Sequence, residues 1–267
     1  MMIRVAKPKD KKAVLDFCKT TFSWGDYISD VWDRWITEGQ LFVIEKDVPI
    51  GICHASFFPN KNQMWIEGIR IHPRHRRKGY AQMLVSNAES FAIKNKFQKS
   101  RMLIEVNNVK SIQLAKKLEY KIESKWNLYS LTPKKRVQTA SVRFATYTDH
   151  LLELIPHTFY VKSWQWIPFD RTELKGLIRK KEILLIEHNG KIDCFGILIR
   201  SEQFPKIIQF TLVYETHKRI NDILRFIQNF AYEMKCEKIQ ILAMQNYILN
   251  FRGLQERYSF YLMEKNL

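Results

Sequence analysis

The stretch that decides the fold is Arg76-Arg77-Lys78-Gly79-Tyr80-Ala81, six residues between an apolar run at 65–71 and a helical pattern that starts at Ala81. Three of the six side chains are cationic, and Gly79 stands where the helix is predicted to begin. The first N–H groups of a helix have no partner within the helix and carry a partial positive charge, so they attract anions. Glycine has no Cβ, which lets a phosphate come close to the backbone. The stretch therefore predicts a phosphate-binding cradle, although a basic surface loop fits the six residues alone equally well.

The overall composition indicates a folded protein with enough residues for two hydrophobic cores. The chain has 267 residues, of which 46% are hydrophobic and 13% aromatic. No apolar run is long enough to cross a bilayer, and the first residues lead into a strand pattern rather than a signal peptide. The four cysteines lack metal-ligand spacing and are interpreted as buried thiols in a reducing compartment. We expect a cytoplasmic protein with no membrane segment.

The formal net charge of +17 favours an anionic partner, such as nucleic acid, an acidic membrane surface or a phosphorylated cofactor. The lysines and arginines are spread along the chain, however, and the longest basic run is Lys134-Lys135-Arg136. This spread favours a generally basic surface over a dedicated polyanion site. A nucleic-acid partner remains open but is not favoured.

The two halves of the chain repeat one plan of strands and helices. Each half shows a strand, a polar turn, a helix, a hairpin, a strand that runs into an amphipathic helix, and closing strands. The turn at Asn189-Gly190 is a strong hairpin signal. Pro133 and the basic residues after it separate the halves. We predict a domain at 1–131, a linker at 132–139 and a second domain at 140–267, both of the α/β (α+β) class.

A family resemblance follows from the spacing of Arg76, Gly79 and Ala81, which fill an Arg/Gln-x-x-Gly-x-Gly/Ala run between strand and helix. This run resembles the acetyl-CoA signature of the GNAT superfamily of N-acetyltransferases. The resemblance covers residues 1–131, from the opening Ile3-Arg4-Val5-Ala6 to Asn108 and the helix after it. It implies two tandem GNAT-like domains, each a mixed, mainly antiparallel sheet flanked by helices. It also implies transfer of acetyl from acetyl-CoA, the co-substrate, to a primary amine of a small molecule or peptide.

The resemblance also implies which residues bind the co-substrate. In the family, backbone N–H groups of the signature hold the CoA pyrophosphate, and the strand before it pairs with the pantetheine arm. Carried onto this sequence, these positions are Ile69, Arg70, Ile71, Arg76, Arg77, Lys78, Gly79, Tyr80, Ala81 and Asn108.

Glu67 is the candidate catalytic base. Strand alternation places it on one face with Trp65, Ile69 and Ile71, and an apolar surrounding raises the pKa of a carboxyl group toward neutrality. Such a group suits removal of a proton from an ammonium nucleophile, and many members of the family have a glutamate here. A structural glutamate paired with Arg70 is the alternative. A bulge at Gly68 would reset the alternation.

The second motif of the family departs from its usual form. Ala115 stands where the family has the tyrosine that often protonates the leaving CoA thiolate. The general acid is therefore water, or Tyr80 or Tyr120, or the thiolate leaves unprotonated, as the modest pKa of a thiol permits.

The acceptor site is predicted in the aromatic and acidic segment 24–35. Trp24, Asp26 and Tyr27 have the chemistry to hold a cationic amine by charge and cation–π contacts. The alternative is an ordinary helix that packs its tryptophans into the core. This segment shows a weak likeness to the histidine N-acetyltransferase branch, which suggests a free amino acid or small amine as acceptor.

The second half lacks the cradle. No glycine occurs between Gly196 and Gly253, and the equivalent strand–helix junction reads Glu215-Thr216-His217-Lys218-Arg219. We interpret this half as a degenerate copy that has lost CoA binding. His72 and His75 lack further ligands in sequence, so a metal site is not predicted.

Two other functions compete with the acetyltransferase. The first is a non-catalytic tandem GNAT-fold module that binds RNA or an acidic partner. The second is transfer of a longer acyl group on the same scaffold.

Overall fold

The computed structural model describes residues 1–22, 25–137, 142–147, 149–154, 158–200, 204–216 and 219–267. Two compact units make up the chain: Met1–Ser124 together with Tyr261–Leu267, and Lys125–Phe260. The division falls inside the strand Lys121–Leu131 and assigns the last residues of the chain to the first unit. The domain bounds drawn from the sequence, 1–131 and 140–267, stay a prediction and are contiguous, whereas the first compact unit also includes Tyr261–Leu267.

The first unit is a sheet with two helices on each face. Its strands β1 (Met2–Val5), β2 (Gln40–Glu45), β3 (Pro49–Phe58), β4 (Gln63–Ile71) and β5 (Lys99–Glu105) lie side by side in chain order. Neighbours are antiparallel except β4 and β5, which are parallel. The helices are α1 (Lys11–Cys18), α2 (Ile28–Trp35), α3 (Tyr80–Lys94) and α4 (Val109–Lys117).

Both faces of this sheet are buried at its centre, where β2 and β3 are mostly apolar. In β2, Leu41 and Val43 pack with α1 and α2, whereas Phe42 and Ile44 pack with α3. Helix α2 buries four residues at helical spacing, an arrangement typical of a helix with one face on the core. These residues are Ile28, Val31, Trp32 and Trp35.

The second unit repeats the plan. Its elements are β6 (Lys121–Leu131, from Lys125 on), β7 (Val142–Phe144), β8 (Phe159–Lys162), β9 (Gln165–Pro168), α5 (Arg171–Arg179), β10 (Ile183–His188), β11 (Lys191–Arg200), β12 (Ile207–Glu215), α6 (Ile220–Glu233), β13 (Lys238–Met244) and β14 (Gln255–Asn266, to Phe260). The sheet order is β6-β13-β12-β11-β10-β7, and of its pairs only β12 and β13 are shown as parallel. Strands β8 and β9 form a separate ribbon. The predicted repeat is thus confirmed.

Local predictions in the second unit have mixed outcomes. Asn189 and Gly190 both adopt positive φ between β10 and β11, as a tight hairpin requires. The helix that the repeated plan predicts after the polar turn of the second half is, within the described residues, a short 3-10 turn at Asp149–Leu152. No described helix in either unit combines the length and apolarity needed to cross a membrane.

Candidate active site

The parallel strands β4 and β5 separate at the position of Glu67. They pair only from Gln63 with Lys99 to Ile66 with Met102, although both strands continue beyond that point. The backbone N–H of His72 donates to the carbonyl oxygen of Ile50 on β3. Because backbone groups alternate in direction along a strand, those of Ile69 and Ile71 point to the opposite edge of β4. Beyond Ile66 no described strand pairs with that edge, so the gap between β4 and β5, here called the cleft, is open to pairing with an extended ligand.

Two arginine side chains donate hydrogen bonds to backbone carbonyl groups on this open edge. Arg70 Nη1 donates to the Ile69 carbonyl and Arg76 Nε to the Ile71 carbonyl, both at 3.1 Å. These contacts bring three of the predicted CoA-strand residues and the first residue of the cradle to one edge.

A bulge at Gly68 corrects the predicted facing of Glu67. Gly68 has φ +65°, and the register with β3 shifts between His54–Glu67 and Ile52–Arg70. Glu67 and Arg70 therefore share the face of α1 and α2, whereas Ile69 and Ile71 pack on the face of α3. The prediction that Glu67 shares one face with Ile69 and Ile71 is wrong, because the bulge at the left-handed Gly68 inserts one extra residue.

Glu67 contacts a histidine that the sequence reasoning missed. His54 on β3 is buried, and its Nδ1 lies 3.1 Å from Glu67 Oε1. The other ring nitrogen, Nε2, lies 2.8 Å from the carbonyl oxygen of Glu38. The Glu67 side chain is 14% exposed and the His54 side chain 1%, so the carboxylate keeps some access to solvent and the imidazole has almost none.

The cradle, residues 76–81, joins β4 to α3 with an unusual backbone. Arg77 and Gly79 both have positive φ, and α3 begins at Tyr80. Within the described part of the chain, no side chain accepts a hydrogen bond from the N–H groups of residues 77–81. A Cβ placed on Gly79 would meet nothing within 4 Å. The helix N-terminus is therefore uncapped and open to solvent, as an anion site requires.

The comparison with protein families agrees with this geometry. The model of the acetyltransferase (GNAT) family matches residues 12–120. The match to a GNAT acetyltransferase domain covers most of the first unit. A sequence search of the curated proteins finds no significant match.

Several solved structures resemble the chain over all or nearly all of its length. A Thermoplasma acidophilum protein superposes with a TM-score of 0.68 at 13% identity over 100% of both chains. A GCN5-related N-acetyltransferase from Sphaerobacter thermophilus gives 0.67 at 15% identity, over 99% of this chain and 95% of the other. A tandem GNAT protein from the clavulanic acid biosynthesis pathway gives 0.60 at 10% identity, over 99% and 98%. At these identities the likeness establishes the GNAT fold of both units.

Asn108, the last predicted CoA residue of the GNAT domain, caps α4. Its side-chain oxygen accepts the N–H of Ser111 at 3.2 Å. The residue lines an open surface depression with Glu105, Asn107, Val109 and Lys110. Its observed role is structural, and contact with the co-substrate stays a prediction.

The structure separates the two tyrosines considered as general acids. Tyr120 is buried, with its hydroxyl 2.5 Å from Ser100 Oγ, and burial raises its pKa strongly. Tyr80 is half-buried at the start of α3, and its ring lies 6.4 Å from that of His75. Desolvation and the charge of Lys78 lower the pKa of His75. Of the two tyrosines, only Tyr80 lies at the cradle.

The predicted acceptor residues hold a cation from the chain itself. Arg70 forms a bidentate pair with Asp26 at 2.7 and 3.1 Å, and its guanidinium lies 5.2 and 5.3 Å from the ring centres of Phe22 and Tyr27. Burial raises the pKa of Tyr27 to about 12. The predicted aromatic and acidic cluster exists, but Arg70 occupies it. Trp24 lies outside the described residues.

In the second unit, the equivalent positions are filled by the chain's own groups. Glu215 Oε1 accepts the N–H of Ile220, the first residue of α6, at 3.0 Å. Tyr247 donates its hydroxyl to the Val213 carbonyl on β12 at 3.1 Å, beyond Thr211, where β12 and β13 stop pairing. A carboxylate thus stands where the first unit offers free N–H groups. His217 and Lys218 of this junction lie outside the described residues.

No metal centre is evident in the described ranges. They contain no group of three or more His, Cys, Asp or Glu side chains placed to hold a metal ion. The four cysteines are free and buried, and burial raises the pKa of each thiol.

Proposed function

We propose that the first unit transfers acetyl from acetyl-CoA to a primary amine by direct attack, with Glu67 as the general base. The uncapped N-terminus of α3 beside the separated edge of β4 is the observation that carries this proposal. Five backbone N–H groups, three flanking cations and an open space above Gly79 suit a pyrophosphate. The edge of Ile69 and Ile71 suits the amides of the pantetheine arm.

In this proposal, binding of the co-substrate and transfer of the proton are carried by different residues of the site. The thioester supplies the acetyl group when the co-substrate is bound. The cradle and the β4 edge would hold and orient the co-substrate beside Glu67, the residue at which the strands part. Glu67 takes the proton from the acceptor ammonium, which frees the nitrogen lone pair for attack. Tyr80 or water protonates the leaving thiolate.

The second unit contributes no CoA site in this proposal. Glu215 competes with any phosphate for the N-terminus of α6, because it already satisfies the first N–H group and brings a negative charge. Tyr247 takes the backbone carbonyl that the pantetheine arm would approach. We therefore propose one CoA-binding site per chain, in the first unit.

Acetyl-CoA calorimetry on Gly79→Trp tests the cradle. The indole would cover the open N–H groups, so we expect the heat of binding to disappear. Gly190→Trp is the matched control, because Gly190 also has positive φ with nothing within 4 Å, in the β10–β11 turn. Equal loss in both variants would contradict the proposal. Absent binding by the wild type, together with steeply salt-dependent RNA binding, would favour the alternative module.

Release of free CoA in the presence of an amine panel tests the reaction. Amino acids, polyamines, peptide N-termini and aminoglycosides cover the acceptor classes. In the best pair, Glu67→Gln should lower kcat by about 10²–10⁴-fold, the usual contribution of a general base. The affinity for acetyl-CoA should stay nearly unchanged, since Glu67 is not one of the residues proposed to bind the co-substrate. Wild-type turnover in this variant would make Glu67 structural.

A further inference from the structure

His54 lies between two hydrogen-bond acceptors. Its Nε2 faces the Glu38 carbonyl oxygen at 2.8 Å, and its Nδ1 faces Glu67 Oε1 at 3.1 Å. The imidazole side chain is 1% exposed, so bulk solvent does not reach its ring nitrogens. A carbonyl oxygen only accepts, which means that Nε2 must carry a hydrogen.

The contact with Glu67 then needs one further hydrogen. A neutral imidazole with hydrogen on Nε2 presents a lone pair at Nδ1. Against an ionised carboxylate, that lone pair would face another acceptor with no bond between them. The contact therefore holds a hydrogen either on Nδ1, as an imidazolium–carboxylate pair, or on Glu67, as a neutral pair. Only the first form leaves Glu67 able to act as a base.

The surroundings of His54 favour the imidazolium form. The indole of Trp35 stacks on the imidazole with ring centres 4.4 Å apart and planes 5° from parallel, and an aromatic face attracts a cation. The Glu38 carbonyl and the Glu67 carboxylate are both partners for a positively charged donor. Burial opposes the charge, and the carboxylate next to it compensates.

Other ionisable groups lie around the pair. Arg70 on β4 is neutralised by Asp26. Tyr27, before α2, packs its ring edge-on to Trp35, and burial keeps its phenol neutral. The Cys53 thiol is adjacent on β3, and burial and then Glu67 raise its pKa. Glu38 pairs its carboxylate with Arg34 at 3.7 Å.

We propose that His54 and Glu67 form a proton-sharing dyad in which His54 is the positioning residue. His54 holds the Glu67 carboxylate in its ionised form and in one orientation. When the acceptor ammonium gives its proton to Glu67, the N–H bond breaks, an O–H bond forms, and the nitrogen keeps the electron pair. The dyad then carries one positive charge until Glu67 passes this proton to solvent. The proposal rests on the proposed role of Glu67 as base.

The test combines nitrogen NMR with a pH profile. In protein labelled with ¹⁵N-histidine, we expect hydrogens on both ring nitrogens of His54 at neutral pH, with the signal assigned by its absence from His54→Phe. In Glu67→Gln, His54 should lose the Nδ1 hydrogen and become the neutral Nε2–H form. A bare Nδ1 in the wild type, or no change in Glu67→Gln, would overturn the dyad.

Kinetics of two His54 variants complete the test. His54→Phe keeps the stack on Trp35 but donates nothing, so the acidic limb of kcat/KM should move up by about 1 pH unit or more. His54→Asn restores a neutral donor to Glu67 and should recover part of kcat. His188→Phe, at the exposed end of β10, is the control for a generic substitution.

The outcomes separate the two proposals. Thermal unfolding and acetyl-CoA calorimetry check that each variant folds and binds. If the wild type acetylates no amine, the proposed function fails, and the ¹⁵N spectrum of His54 still tests the dyad. If the wild type is active and the limb does not move in His54→Phe, the dyad fails alone.

Discussion

The Asp26 carboxylate and the rings of Phe22 and Tyr27 surround the guanidinium of Arg70. The aromatic and acidic residues around Asp26 were predicted to hold a cationic acceptor, and they do hold a cation. That cation is Arg70, which lies 44 positions later in the chain and reaches Asp26 only because β4 passes beside the start of α2. A distant partner of this kind cannot be read from local composition.

Loss of Asp26 should destabilise the first unit strongly. The Asp26 side chain is 2% exposed, so Asp26→Ala leaves the Arg70 guanidinium without its partner at a buried position. Removing one member of a buried pair typically costs about 3–5 kcal/mol. Urea unfolding measures this change. Asp16→Ala is the matched control, because its pair with Lys19 is exposed, and it should shift the midpoint little. Similar midpoints in both variants would show that the pair is not buried in solution.

Glu67 and His54 differ in how far the sequence could identify them. The position of Glu67 on the strand before the cradle is a local feature of the chain, and it predicts this residue as the base. His54 is 13 residues away, and its contact depends on the register of β3 against a bulged β4. Strand register across a bulge is set by tertiary packing, so no local pattern pointed to this histidine.

At the scale of elements, the bulge in β4 makes the site possible. It turns Glu67 and Arg70 to the face of α1 and α2 and leaves Ile69 and Ile71 on the edge of the cleft. Gly68 permits it in two ways: by its positive φ and by its lack of a side chain against Trp35. The sequence suggested a bulge at this glycine, but its effect on facing needed the structure.

Gly68→Ala should therefore impair both stability and turnover. The new Cβ would lie 2.4 Å from two atoms of the Trp35 ring, in a backbone conformation that costs a residue with a side chain about 1–2 kcal/mol. We expect a lower melting temperature and a kcat reduced by displacement of Glu67. In Gly68→Ala with Trp35→Phe, the smaller ring relieves the clash, so part of the stability should return. A double variant no more stable than Gly68→Ala would show that backbone strain alone accounts for the loss.

The N-termini of α3 and α6 differ, and this difference explains why the two units share a fold but only the first is proposed to bind CoA. The N-terminus of α3 follows Gly79 and is uncapped, whereas that of α6 is capped by Glu215. The loss of the cradle in the second half was visible as a missing glycine. Its replacement by an internal carboxylate was not, because the reach of Glu215 to Ile220 depends on how the strand end bends into the helix.

At the scale of the molecule, the internal repeat was the most predictable feature. Periodicity alone indicated two copies of one strand and helix order, and both units show it. The division between them was less accessible: a break at a proline suggests contiguous domains, whereas Tyr261–Leu267 belong to the first unit. In that unit Glu264 pairs with Lys99 at 2.7 Å, a contact that spans 165 positions.

The whole chain should bind one molecule of acetyl-CoA, although it contains the fold twice. The reason is electrostatic as well as steric, since the second unit places the Glu215 carboxylate where a phosphate would need free N–H groups. Calorimetric titration of the wild type should give a stoichiometry of one per chain, and Gly79→Trp should give none. A stoichiometry of two, or one remaining site in Gly79→Trp, would place a working cleft in the second unit. Glu215→Gln tests the cause: it keeps the side-chain length but removes the charge, so any weak second site gained by this variant would identify the carboxylate as the group that excludes the co-substrate.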